Sequence, residues 1–205
     1  IMTAILKVDT IQDVDGNNII NESSDTITIG ASGDTTNIVG TLQNNGAALA
    51  FGSLTQADQW RLTADLAGNN YITTNLERSD TYGAGYIGNG MTESSGVFTF
   101  PATGIYKVEF NPQYKCTGDD RVIESKLYTT TDGTNYNVAA YGHTSLYRDS
   151  SNARANSFSQ IMFDVTNTST HKVKFYSEYT NQSTSMLGST SANQTTMTFI
   201  RLGDT

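Results

Sequence analysis

Cysteine, proline, histidine and positive charge are all scarce in this 205-residue chain. Its one cysteine, Cys116, cannot close an intrachain disulfide and supplies no metal framework. It follows an alternating run and reads as a small buried hydrophobe. Lys and Arg number 12 against 20 Asp and Glu, a net charge of -8. Binding nucleic acid needs clustered bases to neutralise phosphates, and no such cluster exists, so that partner class is set aside. The acidity serves solubility. No apolar run is long enough to insert in a membrane, and no stretch has the signal-peptide pattern. Met2 reads as a native start, so the expectation is a short protein made in a cytoplasm. Strong helix formers are sparse, and no run keeps helical spacing. The two histidines, His143 and His171, have no serine motif beside them, so no nucleophile–base–acid set can be assembled. The expectation is no enzyme, no cofactor and no catalytic residue.

What is abundant points one way. Thr, Ser and Asn make roughly a third of the chain, with 18 Gly. Thr, Tyr and Phe favour strands, whereas Gly and Asn favour turns. Between Ser95 and Phe110, Phe98 and Phe100 alternate with smaller residues, as do Tyr106, Val108 and Phe110. A period of two marks half-buried strands. Pro101 to Gly104 makes the corner between them. The chain reads as all-β.

Two regions differ. Residues 1–54 hold no aromatic before Phe51 and carry short apolar dashes: Ile5 to Val8, Ile19-Ile20, Ile27 to Ile29, Ile38-Val39 and Leu42. Such a segment buries too little to order itself, so it is either disordered or ordered by neighbouring chains. The regular recurrence of Ile favours the second, an extended β shaft or anchor. Asp13 to Asn17 has the look of a calcium loop but lacks the closing Glu, which leaves an ordinary turn. Residues 55–205 contain dense alternating runs, expected as strands near 60–62, 97–100, 105–114, 122–129, 136–141, 157–165, 172–179 and 195–202. Eight strands without helices suit a sandwich or jelly roll.

Consecutive strands alternate in direction, so every second connection shares an end. Short turns at 101–104, 130–135 and 166–170 form one set. The longer connections 64–96, 117–121, 142–156 and 180–194 form the other. The expectation is a plain base and an elaborated tip, the arrangement by which loops carry recognition on a rigid scaffold. Tip residues with groups for a ligand are Asp119, Asp120, Arg121, His143, Tyr147, Arg148, Arg154, Asn181 and Gln182. Tyr147 offers a stacking face and the arginines offer donors, which suits a sugar; packing on a neighbouring subunit is the alternative for Tyr147. Asp119 and Asp120 are a better calcium site than Asp13 to Asn17 if a threefold arrangement multiplies them near an axis, and otherwise form a solvated turn. No metal set is assigned.

Gly96-x-Phe98-x-x-Pro101-x-x-Gly104-x-Tyr106 resembles the signature of complement-type globular heads, relatives of the tumour-necrosis-factor jelly rolls. The close, Thr195 to Leu202, stands where that family has its last strand, with Thr198 and Ile200 in place of small residues around Phe199. Ala57 to Leu62, Asn75 to Arg78, Gly90 to Gly96, Phe163 to Val173 and Phe199 to Thr205 are similar to fibre proteins of marine tailed phages. So are Leu6 to Ile11 and Asp25 to Gly30. The resemblance implies a ten-strand-type jelly-roll head preceded by a shaft, a homotrimer, and a place in a virion assembled in a bacterial cytoplasm. It implies other virion tail or head proteins as partners and a host cell-surface glycan as target. A structural virion role, such as a head decoration or connector, is the second class; the polar tip favours recognition.

Overall fold

The computed structural model describes residues 54–147 and 153–205 throughout, and within the first 53 residues 10–12, 14, 18–23, 26–29, 33, 35–37, 43–44 and 47–48. The chain divides into two compact units, Ile1–Gly52 and Ser53–Thr205. In the first unit β1 (Thr10–Gln12), β2 (Asn18–Ser23) and β3 (Thr26–Ile29) form an antiparallel meander. Ile20 stands opposite both Ile11 and Ile29. A two-residue ladder joins β4 (Gln43–Asn44) to β5 (Ala47–Ala48). The isoleucine dashes at 19–20 and 27–29 therefore fall in strands. Those at 5–8, 38–39 and 42 lie outside the described residues, as do Asp13, Asp15, Gly16 and Asn17 of the calcium-like loop.

In the second unit every alternating run becomes a strand. The elements are β6 (Ala57–Leu62), β7 (Leu66–Ala67), β8 (Asn70–Tyr71), β9 (Leu76–Arg78), β10 (Thr92–Ser94) and β11 (Val97–Thr99), followed by β12 (Gly104–Asn111), β13 (Gln113–Cys116), β14 (Asp120–Thr130) and β15 (Asn137–Leu146). The chain closes with β16 (Ala153–Asn156), β17 (Ser159–Val165), β18 (Lys172–Tyr179), β19 (Thr184–Met186) and β20 (Thr196–Gly203). They build two antiparallel layers. The first has the order β17-β12-β20-β6-β9, and its ladders continue beyond as β16-β13-β19-β7. The second has the order β10-β11-β18-β14-β15, with β8 also on β18.

The inward residues of each layer are the aromatics read from the alternation. Phe98 of the second layer lies 5.4 Å from Trp60 and 5.1 Å from Phe199 of the first, and Phe110 lies 5.0 Å from Phe175. Phe98, Phe110, Phe175 and Phe199 are all buried. Each such side chain contributes about 1.5–3 kcal/mol by leaving water, so this aromatic seam is the main tie between the layers. At the Pro101–Gly104 corner the Tyr106 hydroxyl donates to the Ala102 carbonyl at 3.1 Å, and Arg201 Nε donates to Thr103 O at 2.8 Å. The β6–β9 register sets Trp60 opposite Arg78 and Arg61 opposite Glu77. Buried Asp58 receives Arg78, the Trp60 indole N–H and the Met91 N–H.

Three expectations change. The run 105–114 is not one strand: Pro112 has no N–H to give the ladder and divides it into β12 and β13. Residues 92–94, expected in a loop, form a hairpin with 97–99. Ser95 (φ 52°) and Gly96 (φ 80°) are its two turn residues, both with the positive φ that a tight hairpin requires. At Gly96 a Cβ would come within 2.1 Å of the Ile72 carbonyl, so only glycine fits. The long connections also do not all share one end. Ser79 N–H reaches Gln59 O, and Ile87 exchanges hydrogen bonds with Ala57, so 79–90 turns back along the flank of β6. Ser189 N–H donates to Leu62 O, and Leu62 N–H to Thr195 O, so 187–195 lies on that flank too.

Candidate functional site

One end of the second unit holds the three short turns and the start of β6. The opposite end, hereafter the loop end, holds Cys116, Ala153 and Thr184 of one layer and Asp120, Leu146 and Tyr179 of the other, by ladder register. There, 117–119 and 180–183 are tied into a single knot. Asn181 Nδ2 donates to Asp119 O at 2.8 Å, and Asn181 Oδ1 accepts from the Ser183 N–H and hydroxyl.

Asp120 is the centre of that knot and is fully buried. Its carboxylate accepts from Thr184 Oγ1 at 2.5 Å, Thr180 Oγ1 at 2.7 Å and the Asn181 N–H at 3.1 Å. Burial alone would raise its pKa; the hydrogen bonds from Thr184, Thr180 and Asn181 outweigh burial and hold the carboxyl below its ordinary value. The carboxylate's capacity is thus taken up inside the protein. Asp120 is a structural clamp and not a surface contact, which corrects the sequence expectation for this residue.

What the knot presents outward is different chemistry. The Arg121 side chain is 79% exposed, with its guanidinium 4.0 Å from the Asp119 carboxylate. Gln182 is exposed. Tyr147 is 74% exposed and follows Leu146, whose backbone pairs with Asp120, so its ring belongs to the same end. A planar ring, a guanidinium and an amide are all exposed at this end. Among the described residues no cluster of three His, Cys, Asp or Glu that could hold a metal is formed.

His143 and Arg154 sit on strands and not in loops. His143 lies within β15, opposite Glu124, because β15 runs on to Leu146 where a loop was expected. Arg154 is exposed on β16, beside Ala153 at the loop end and opposite Lys115. Arg148 lies outside the described residues. His171, at the opposite end, is buried in its turn, between the Thr166 and Thr170 hydroxyls and against Phe163. Sequence reasoning missed a group of tyrosines and lysines on the outer face of the second layer. Its trace is the alternation Glu124-x-Lys126-x-Tyr128 and Lys174-x-Tyr176-x-Glu178, but only strand register brings the two runs side by side.

No family model matches the chain, and no curated protein matches it. Among solved structures it is similar to the Eiger TNF from S. frugiperda, with a TM-score of 0.54, 13% identity, and coverage of 75% of this chain and 96% of that one. It is also similar to murine APRIL at pH 8.5 (TM-score 0.51, 11% identity) and at pH 5.0 (0.51, 12%). Each APRIL match covers 72% of this chain and 98% of that one. At these identities the likeness is one of fold: the second unit is a jelly roll of the tumour-necrosis-factor type.

Proposed function

We propose that this protein is a virion fibre component whose second unit is a homotrimeric head that binds a host-surface receptor, with residues 1–54 as its β shaft or anchor. The single observation that carries the recognition role is the loop end. Exposed Tyr147, Arg121 and Gln182 lie there around a buried carboxylate knot, at the end opposite the start of β6. The trimer is supported by the outer face of the first layer. On that face Met162 is 60% exposed, and Ile105 and Ile200 stand half-buried, beside the Lys107–Glu109 ion pair. Aliphatic side chains of this kind cost free energy in water and gain it when copies cover one another.

A host glycan suits the loop end, because a ring face, a guanidinium and amides stack on and hydrogen-bond to a sugar. Three copies raise the avidity of a weak single site without any new contact. The test is adsorption. Fluorescently labelled full-length protein mixed with a panel of bacteria should decorate a subset of strains, and a Tyr147→Ala, Arg121→Ala variant should bind those strains about tenfold less while keeping its mass. No decoration of any strain, or decoration unchanged in the variant, would move the protein to the structural virion class.

A further inference from the structure

The outer face of the second layer is unlike that of the first. One row crosses four strands: Tyr71 of β8, Tyr176 of β18, Lys126 of β14 and Tyr141 of β15 stand directly opposite one another in sequence. Tyr71 packs edge-on against Tyr176 at 5.0 Å and against Tyr128 at 5.2 Å. Lys126 Nζ lies 5.6 Å from the Tyr141 ring and 5.7 Å from the Tyr176 ring, and is held between Glu124 and Glu178. His143 lies parallel to Tyr141, 5.8 Å away and 5° from coplanar.

Cross-strand aromatic pairs steady a sheet, and that accounts for Tyr128 and Tyr176. It does not account for the half-exposed rings. Tyr141 is 54% exposed, the His143 side chain 61%, and Tyr71 39%. Rings kept at the surface on stiff strands are a pre-organised contact area with little rotamer entropy to lose.

The chemistry selects the occupant. Outward neighbours of these rings are lysines, glutamates and a histidine, with Val122 the exposed aliphatic on β14, so the face lacks the Leu, Ile and Met that fill a protein interface core. Glu124 and Glu178 would repel phosphates, on a chain already at -8. Flat apolar rings bordered by hydrogen-bonding groups of both signs match a pyranose, whose ring face is C–H and whose rim is hydroxyl. Four strands about 4.8 Å apart give the row a length of about 14 Å, the reach of a short oligosaccharide.

We infer that this face is a carbohydrate-binding platform, separate from the loop end, on which an oligosaccharide lies across the strands along the Tyr71–Tyr141 row. Its use by the protein rests on the recognition reading above; its chemistry does not. The test is a printed array of bacterial surface oligosaccharides probed with labelled full-length protein. Wild type should be retained on at least one oligosaccharide, Tyr141→Ala with His143→Ala should lose about tenfold in apparent affinity at an unchanged melting temperature, and Tyr141→Phe should keep most of it. Retention on no oligosaccharide, retention indifferent to Tyr141 and His143, or loss confined to a Tyr147→Ala variant would each overturn the platform. Failure of the recognition reading looks different: sugar retention that depends on Tyr141, with no adsorption to any cell.

Discussion

Asp120 shows how one side chain can change meaning between sequence and structure. In the sequence it is half of an acidic pair in a polar loop; in the fold it gathers donors from residues 60 to 64 positions away. No local pattern reveals such partners, whereas the meeting of 117–119 with 180–183 was legible from strand parity. The consequence is a pH dependence. The Asp120 pKa is lower folded than unfolded, so its stabilisation is present above the unfolded value, near 4. It is lost as pH falls through the folded value. Asp120→Asn presents an NH2 to hydroxyl and N–H donors, and should cost about 1–3 kcal/mol at pH 7. Denaturant melts from pH 7 to below 4 should show the wild type losing stability that the variant has already lost. The two curves should converge in acid, and curves that stay parallel would remove Asp120 as the clamp.

At the scale of elements, the strands with strong alternation were legible and their lengths were not. Phe98, Tyr106, Val108 and Phe110 report a buried face directly, and all four are buried. The short strands β7, β8, β16 and β19 owe their existence to the partner they lie beside, which sequence does not show. Likewise β15 extends through His143 because β14 is there to pair with it. Segment 187–195 reads as a loop but is drawn to the flank by Arg61, which is buried and held by Glu77, Asp80, Thr81 and the Thr190 carbonyl. The first unit provides a test of its own. Ile29 is 56% exposed within one chain. If the meander stood alone, Ile29→Asp would change stability by no more than about 0.5 kcal/mol. In a shaft built by several chains the new charge is buried between copies. Limited proteolysis should then find residues 1–52 cut readily in the variant and protected in the wild type, with the head still assembled. Equal protection in both would end the shaft reading.

At the scale of the whole molecule, the two outer faces of the sandwich differ in chemistry. The first layer turns Ile105, Met162 and Ile200 outward among Lys107, Glu109, Gln160 and Asp164, with Met162 the most exposed of the aliphatics on its strands; the second turns tyrosines and lysines outward; the loop end presents Tyr147. On the proposed reading the first of these faces self-associates and the second meets a sugar. The central claim is that the head works as a trimer held by the first layer. Light scattering of the purified full-length protein tests it most directly. The wild type should have a mass near three chains of 22.2 kDa, and Met162→Asp, which would bury a charge between copies, should fall to the mass of one chain. A wild type with the mass of one chain would contradict the account.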